Sequence, residues 1–130
     1  MIEFHLDTRS GLAPYQQLVK QVMDALRLGR LREGDQLPTV REVVASLAIN
    51  PNTVLKAYRE LEYHGLASAR PGQGTFVRGT LPSASARDQQ SLGRSFRRWL
   101  QSARDAGLDD DGILALVGST LREETSEGVA

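Results

Sequence analysis

The chain has 130 residues, no cysteine, and 16 Lys and Arg balanced by 16 Asp and Glu, so its formal net charge is zero. That length holds about one small domain with a short appendage, and the lack of cysteine excludes disulfides, thiolate metal sites and thiol nucleophiles. No apolar run approaches the roughly 20 residues that cross a bilayer, and an opening with Glu3, His5 and Asp7 is unlike a secretory signal, so a cytoplasmic, non-membrane protein is expected.

Residues Glu3 to Asp7 alternate in polarity and suggest a short extended segment, followed by a turn at Ser10-Gly11. Pro14 then opens a helix, because proline at the first helical position gives up no needed hydrogen bond. Leu18, Val19, Val22, Met23 and Leu26 fall on one face of it, and Gly29 stands where a stop belongs, giving a helix over about 14–28. The segment Gly34-Asp35-Gln36-Leu37-Pro38 reads as a loop, and Thr39 with Glu42 forms a capping box that starts a second helix. Val40, Val43, Val44 and Leu47 give this helix one buried face over about nine residues.

Asn50-Pro51 interrupts it and starts another, since Asn is a good N-cap and Pro suits the first helical position. The third helix is expected over 51–64, with Gly65 ending it. Val54, Ala57, Tyr58 and Leu61 cluster on one side of its wheel, and Asn52, Lys56, Arg59 and Tyr63 on the other. Two helices separated by about three residues match a helix-turn-helix. Leu66 to Arg70 and Thr75 to Arg78 then read as two strands joined by Pro71-Gly72-Gln73-Gly74, a hairpin placed as a wing.

Gly79 to Gln90, rich in Ser, Ala, Gly and Pro, reads as a linker. Beyond it Leu92, Phe96, Trp99, Leu100 and Ala103 share one helical face, Gly107 breaks the run, and Ile113, Leu116, Val117 and Leu121 share the face of a second helix capped by Asp109. Residues after Glu124 are expected to fray. The fold class is therefore mainly α with a small β-hairpin: a winged helix-turn-helix domain over 1–78, a linker over 79–90, and a two-helix region over 91–130.

Zero net charge does not mark a nucleic-acid binder, and the asymmetry is slight: residues 1–78 carry ten cations against eight acids, or plus two, and residues 79–130 carry six against eight, or minus two. Placement carries the reading instead. In a helix-turn-helix the first helix anchors on the DNA backbone and the second enters the major groove. Arg41 is placed to reach phosphate or a guanine edge, and Thr39 and Thr53 can add hydroxyl contacts. Asn52 has the donor and acceptor that read adenine, Lys56 suits guanine or phosphate, and Arg59 shares their face. At the wing, Gly72 lets the backbone approach a groove wall, and Arg70 and Gln73 can touch phosphate or the minor groove. Taken singly, Thr39 and Asn50 are ordinary caps, Arg41 is an ordinary solvated cation, and the Pro-Gly-Gln-Gly stretch is an ordinary turn. Their order along the chain is what points to DNA.

Catalysis and metal binding find little support. His5 and His64 belong to no spaced ligand set, and Asp109-Asp110-Asp111 are explained by capping and the helix dipole. Gly72-Gln73-Gly74 lacks the lysine and following helix of a phosphate-binding loop. No enzyme, cofactor or metal site is expected.

The segments Pro14-Tyr15-Gln16-Gln17-Leu18, Gly34 to Glu42, Asn50 to Glu62 and Arg70 to Val77 together resemble the DNA-binding domain of the GntR family of bacterial regulators. The resemblance covers residues about 8–78, more than half the chain, and implies a repressor-type regulator binding palindromic double-stranded DNA. It also implies contacts from Arg41 and from Asn52, Thr53 and Lys56. Leu55 stands where several relatives carry a basic residue, which implies a thymine-methyl contact or none at that position. About 50 residues after the wing resemble the short two-helix region of the YtrA-like subfamily, which implies control of a nearby transporter operon. Two such helices bury too little alone, so Phe96, Trp99, Leu100, Ile113, Leu116, Val117 and Leu121 are expected to pair subunits in a homodimer. The alternative is packing on their own N-terminal domain, and the alternative function is a winged-helix protein-interaction module without specific DNA binding.

Overall fold

The computed structural model describes residues 1–129, and side chains as far as Ser126. The element order is α1 (Pro14–Arg27), α2 (Val40–Leu47), α3 (Pro51–Tyr63), β1 (Ala67–Arg70), β2 (Gly74–Val77), α4 (Ala86–Asp105) and α5 (Asp110–Val129). The chain divides into two compact units, Met1–Ala86 and Arg87–Ala130.

In the first unit α3 packs against α1, α2 and β1. Leu18 and Val22 of α1, Val54 and Leu61 of α3, and Leu37 are fully buried, with Val43, Ala57, Tyr58, Leu66 and Val77 closing the core around them. Each helix begins where the local chemistry dictates. The Thr39 hydroxyl accepts from the Glu42 amide at 3.1 Å while the Glu42 carboxylate accepts from the Thr39 amide at 3.3 Å. Asn50 Oδ1 accepts from the Asn52 amide at 2.8 Å. At α1 no capping oxygen is available on Ala13, and Gln16 Oε1 reaches back to accept from the Ala13 amide at 3.0 Å. Gly29 closes α1 at a φ of 69°, with the Arg30 amide donating to the Ala25 carbonyl at 2.8 Å. Helix α2 ends on Ala48, whose φ of 53° is a left-handed conformation for which glycine is the usual choice.

The strands pair antiparallel from Ala67 opposite Val77 to Arg70 opposite Gly74. Two segments depart from expectation. Asp35 to Leu37 is not a free loop: it lies antiparallel to β2, with a bridge between Gln36 and Phe76. The Leu37 amide donates to the Thr75 carbonyl at 2.9 Å, and the Val77 amide to the Asp35 carbonyl at 2.7 Å. The N-terminal segment, expected to be extended, belongs to no strand. Gln21 exchanges two hydrogen bonds with the His5 backbone, at 2.7 and 3.1 Å, and the buried Gln17 serves the Asp7 amide and the Asp7 and Leu12 carbonyls. Two glutamine side chains thus replace the missing strand partner, and Phe4 is carried into the core.

Helix α4 begins at Ala86, the last residue of the first unit, so the last five residues read as linker are helical. Their composition suggested a spacer, yet Ala86 to Gln90 contains no glycine or proline to break a helix. Gly107, at a φ of 101°, ends α4, with the Leu108 amide donating to the Ala103 carbonyl at 3.1 Å. Asp109 Oδ1 caps α5 through the Gly112 amide at 2.8 Å. Fraying after Glu124 is not observed, since α5 continues to Val129.

One buried polar contact joins α3 to the start of α2: the Tyr58 hydroxyl donates to the Pro38 carbonyl at 2.5 Å. Burial pushes the Tyr58 phenol above its ordinary value, and the Glu42 carboxylate pushes it further the same way. A phenol raised in the folded state contributes stability that is complete below its unfolded value near 10.0 and is lost as pH rises beyond it. Tyr58→Phe should therefore lower stability at neutral pH by about 1–3 kcal/mol, because the Pro38 carbonyl loses its donor. Denaturant titrations from pH 7 to 11 should show the wild type losing stability above pH 10 and the variant losing less of it.

Candidate nucleic-acid interface

The residues expected to face DNA come from three places on the first unit. Thr39 and Arg41 stand at the start of α2, and Arg41 is exposed. Asn52, Lys56 and Arg59 are exposed along the outer side of α3, while Thr53 is half-buried. Arg70, Gly72 and Gln73 form the exposed tip of the hairpin. Thr39 is exposed, but its hydroxyl already serves the capping box, so its first role is structural.

Two of these cations rest on aromatic faces. The Lys56 ammonium sits 4.0 Å from the centroid of the Tyr15 ring, and the Arg70 guanidinium 4.2 Å from that of Phe76. Ion pairs among the described residues fall elsewhere, at Lys20–Asp24, Arg27–Asp24 and Arg104–Asp110. Lys56 and Arg70 are therefore oriented by rings and not by ion pairs.

Sequence reasoning missed Tyr15 and Gln36. Gln36 Nε2 donates to the Gln73 carbonyl at 3.1 Å, tying the hairpin tip to the strand-like segment before α2. A methyl group at Gly74 would stand 2.7 Å from the same Gln36 nitrogen, and Gly74 itself has a φ of 125°. Wing and α2 start are thus stitched together through residues 35–37. The apolar spacing of α1 includes Tyr15 but gives no sign of Lys56, and Gln36 has no periodic signal, because each acts on a partner more than 35 positions away.

The residues expected to pair subunits lie in the second unit. Phe96, Trp99, Leu116 and Leu121 are 49%, 37%, 45% and 63% exposed, unusually open for such side chains. The Phe96 and Trp99 rings stack with centroids 5.7 Å apart. With Val117 and Thr120 they line an apolar groove of about 360 Å³. Leu100 is half-buried and Ile113 is buried, so these two are already packed. No helix among the described residues is long and apolar enough to cross a membrane, and no group of three metal-ligating side chains occurs among them.

The sequence model of a family described as bacterial regulatory proteins, gntR family, matches residues 14–77. Over 72 residues the chain is 40% identical to the HTH-type transcriptional repressor YtrA of Bacillus subtilis (strain 168), a match covering 55% of each protein. Over 103 residues it is 35% identical to the HTH-type transcriptional regulator Rv1152 of Mycobacterium tuberculosis, covering 79% of this chain and 81% of that one. The chain thus spans about half the length of the first relative and four-fifths of the second. Among solved structures, YtrA from Sulfolobus acidocaldarius, a GntR-family transcription factor, aligns with a TM-score of 0.55 at 26% identity, covering 75% of this chain and 97% of that one. A transcriptional antiterminator from Listeria monocytogenes EGD-e aligns with a TM-score of 0.59 at 28% identity, covering 92% and 90%.

Gly74→Ala should loosen the wing, because both backbone conformation and the Gln36 side chain oppose it. Faster hydrogen exchange is expected at the Leu37 and Val77 amides, with the α1 and α3 core amides unchanged. Gln36→Ala in the same background should restore only part of the protection, since it relieves the crowding and not the backbone strain.

Proposed function

We propose, from the premise that this chain belongs to the gntR family of bacterial regulatory proteins, that it is a cytoplasmic repressor binding a palindromic operator as a homodimer. DNA-binding transcription regulation is the activity of the family, and the chain stands among regulators rather than enzymes. The carrying observation is the convergence of Arg41, the exposed α3 face of Asn52, Lys56 and Arg59, and a wing tip stitched to the α2 start.

On this reading α3 lies in the major groove, Asn52 and Lys56 meet base edges or phosphate near its N-terminal half, and Thr53 and Arg59 flank them. Arg41 grips the backbone or a guanine, while Thr39 sets the α2 N-terminus whose free amides favour a phosphate. Arg70, Gly72 and Gln73 lie along the neighbouring groove. Residues 1–78 form the DNA-binding domain and those beyond about 90 the pairing region, with α4 and α5 of two copies covering Phe96, Trp99, Leu116, Val117 and Leu121. Leu100 and Ile113 support that surface from inside. Pairing places two recognition helices about 34 Å apart, one turn of DNA, so the operator is an inverted repeat. Its expected location is upstream of a transporter operon near the regulator's own gene, in keeping with the YtrA-like subfamily.

Arg41→Ala and Lys56→Ala should each weaken operator binding by roughly fivefold to a hundredfold, and loss of a phosphate contact should reduce the salt slope by about 1. Gel shifts at several salt concentrations on the upstream inverted repeat measure both. Unchanged affinity in both variants rejects the contact assignment, and a wild-type chain with no salt-dependent DNA binding that captures a protein partner favours an interaction module. Trp99→Glu should convert a dimer to a monomer in sedimentation, and a wild-type monomer at micromolar concentration rejects the pairing.

A further inference from the structure

We propose that Tyr15, on α1 and outside the helix-turn-helix, is a positioning residue for DNA recognition: its ring holds the Lys56 ammonium of α3 in a binding-ready place while leaving its charge unspent. The proposal rests on the reading of α3 as the recognition helix. Tyr15 follows Pro14 at the start of α1, is half-buried and packs against the core cluster, so its ring is fixed by the fold. Lys56 is exposed, lies on the polar side of α3, and places its nitrogen 4.0 Å from the ring centroid.

The type of partner matters as much as its position. A lysine side chain has four flexible torsions, and confining it on binding costs conformational entropy. A carboxylate would confine it too, but would cancel its field and have to be displaced before phosphate or a base edge took its place. An aromatic face confines the ammonium through the ring quadrupole, which is weaker and adds no net charge. Asn52, one turn before Lys56, and Glu60, one turn after it, flank it on α3, and the ion pairs among the described residues do not involve it. In a chain of zero net charge, keeping one cation ordered and outside any ion pair strengthens the local potential that phosphate meets.

The test uses the full chain and a short mixed-sequence DNA duplex, alongside NMR of the free protein. In the wild type and in Tyr15→Phe the Lys56 ε-methylene protons should be shifted upfield by the ring current. In Tyr15→Leu that shift should vanish and duplex affinity should fall about two- to fivefold. In a Lys56→Met background the same Tyr15→Leu change should have almost no further effect on affinity. Tyr15→Met, which keeps a long apolar side chain, serves the same comparison if Tyr15→Leu unfolds. Absence of the upfield shift, or additive losses in the double variant, overturns the proposal. If the wild type shows the ring-current shift but no salt-dependent duplex binding, the contact exists and the DNA reading fails, taking the positioning role with it.

Discussion

The candidate DNA-binding face depends on one buried contact, the hydrogen bond from the Tyr58 hydroxyl of α3 to the Pro38 carbonyl. It fixes α3 to the residue immediately before the Thr39 cap, and hence to the turn of α2 that carries Arg41. The neighbouring residues extend the same linkage. Leu37 is fully buried, Gln36 ties down the hairpin tip, and Asp35 and Leu37 add backbone bonds to β2. A segment of six residues, 34–39, therefore sets the relative positions of α2, α3 and the wing.

That segment illustrates what a single sequence reveals and what it hides. The helices were legible because their signals are local: Thr39 with Glu42, Asn50 before Pro51, and apolar spacing that the burial of Leu18, Val22, Val54 and Leu61 reproduces. The winged fold was legible from the order of those elements. The pairing of Asp35 to Leu37 with β2 was not, because its partner lies some 40 residues away and three paired residues leave no alternating pattern. The N-terminal segment was hidden for a related reason, since Gln17 and Gln21 look like ordinary surface polar residues until their amides are seen serving the backbone. In the second unit the helix ends were misjudged where composition, rather than a cap, was the guide.

The candidate contact residues were legible as a face and not as a mechanism. Asn52, Lys56 and Arg59 follow from helical spacing and Arg41 from its place at the start of α2, whereas the ring that orients Lys56 does not. Both Lys56 and Arg70 lie against rings, those of Tyr15 and Phe76, and the ion pairs of Asp24 and Asp110 involve neither of them. Under the proposed function this arrangement reconciles zero net charge with binding to a polyanion, because phosphate would meet a local field and not the average.

The open apolar groove of α4 and α5 has a further consequence under the proposed pairing. A unit that keeps Phe96, Trp99 and Leu121 so exposed in one copy gains most of its core from the second, so its folding becomes second order in the chain's own abundance. The first unit, with its own buried core, carries no such dependence. Occupancy of a two-site operator would then rise more steeply than the amount of protein. A modest fall in expression would then become a sharp release of the target, a threshold written into the pairing chemistry of two 20-residue helices.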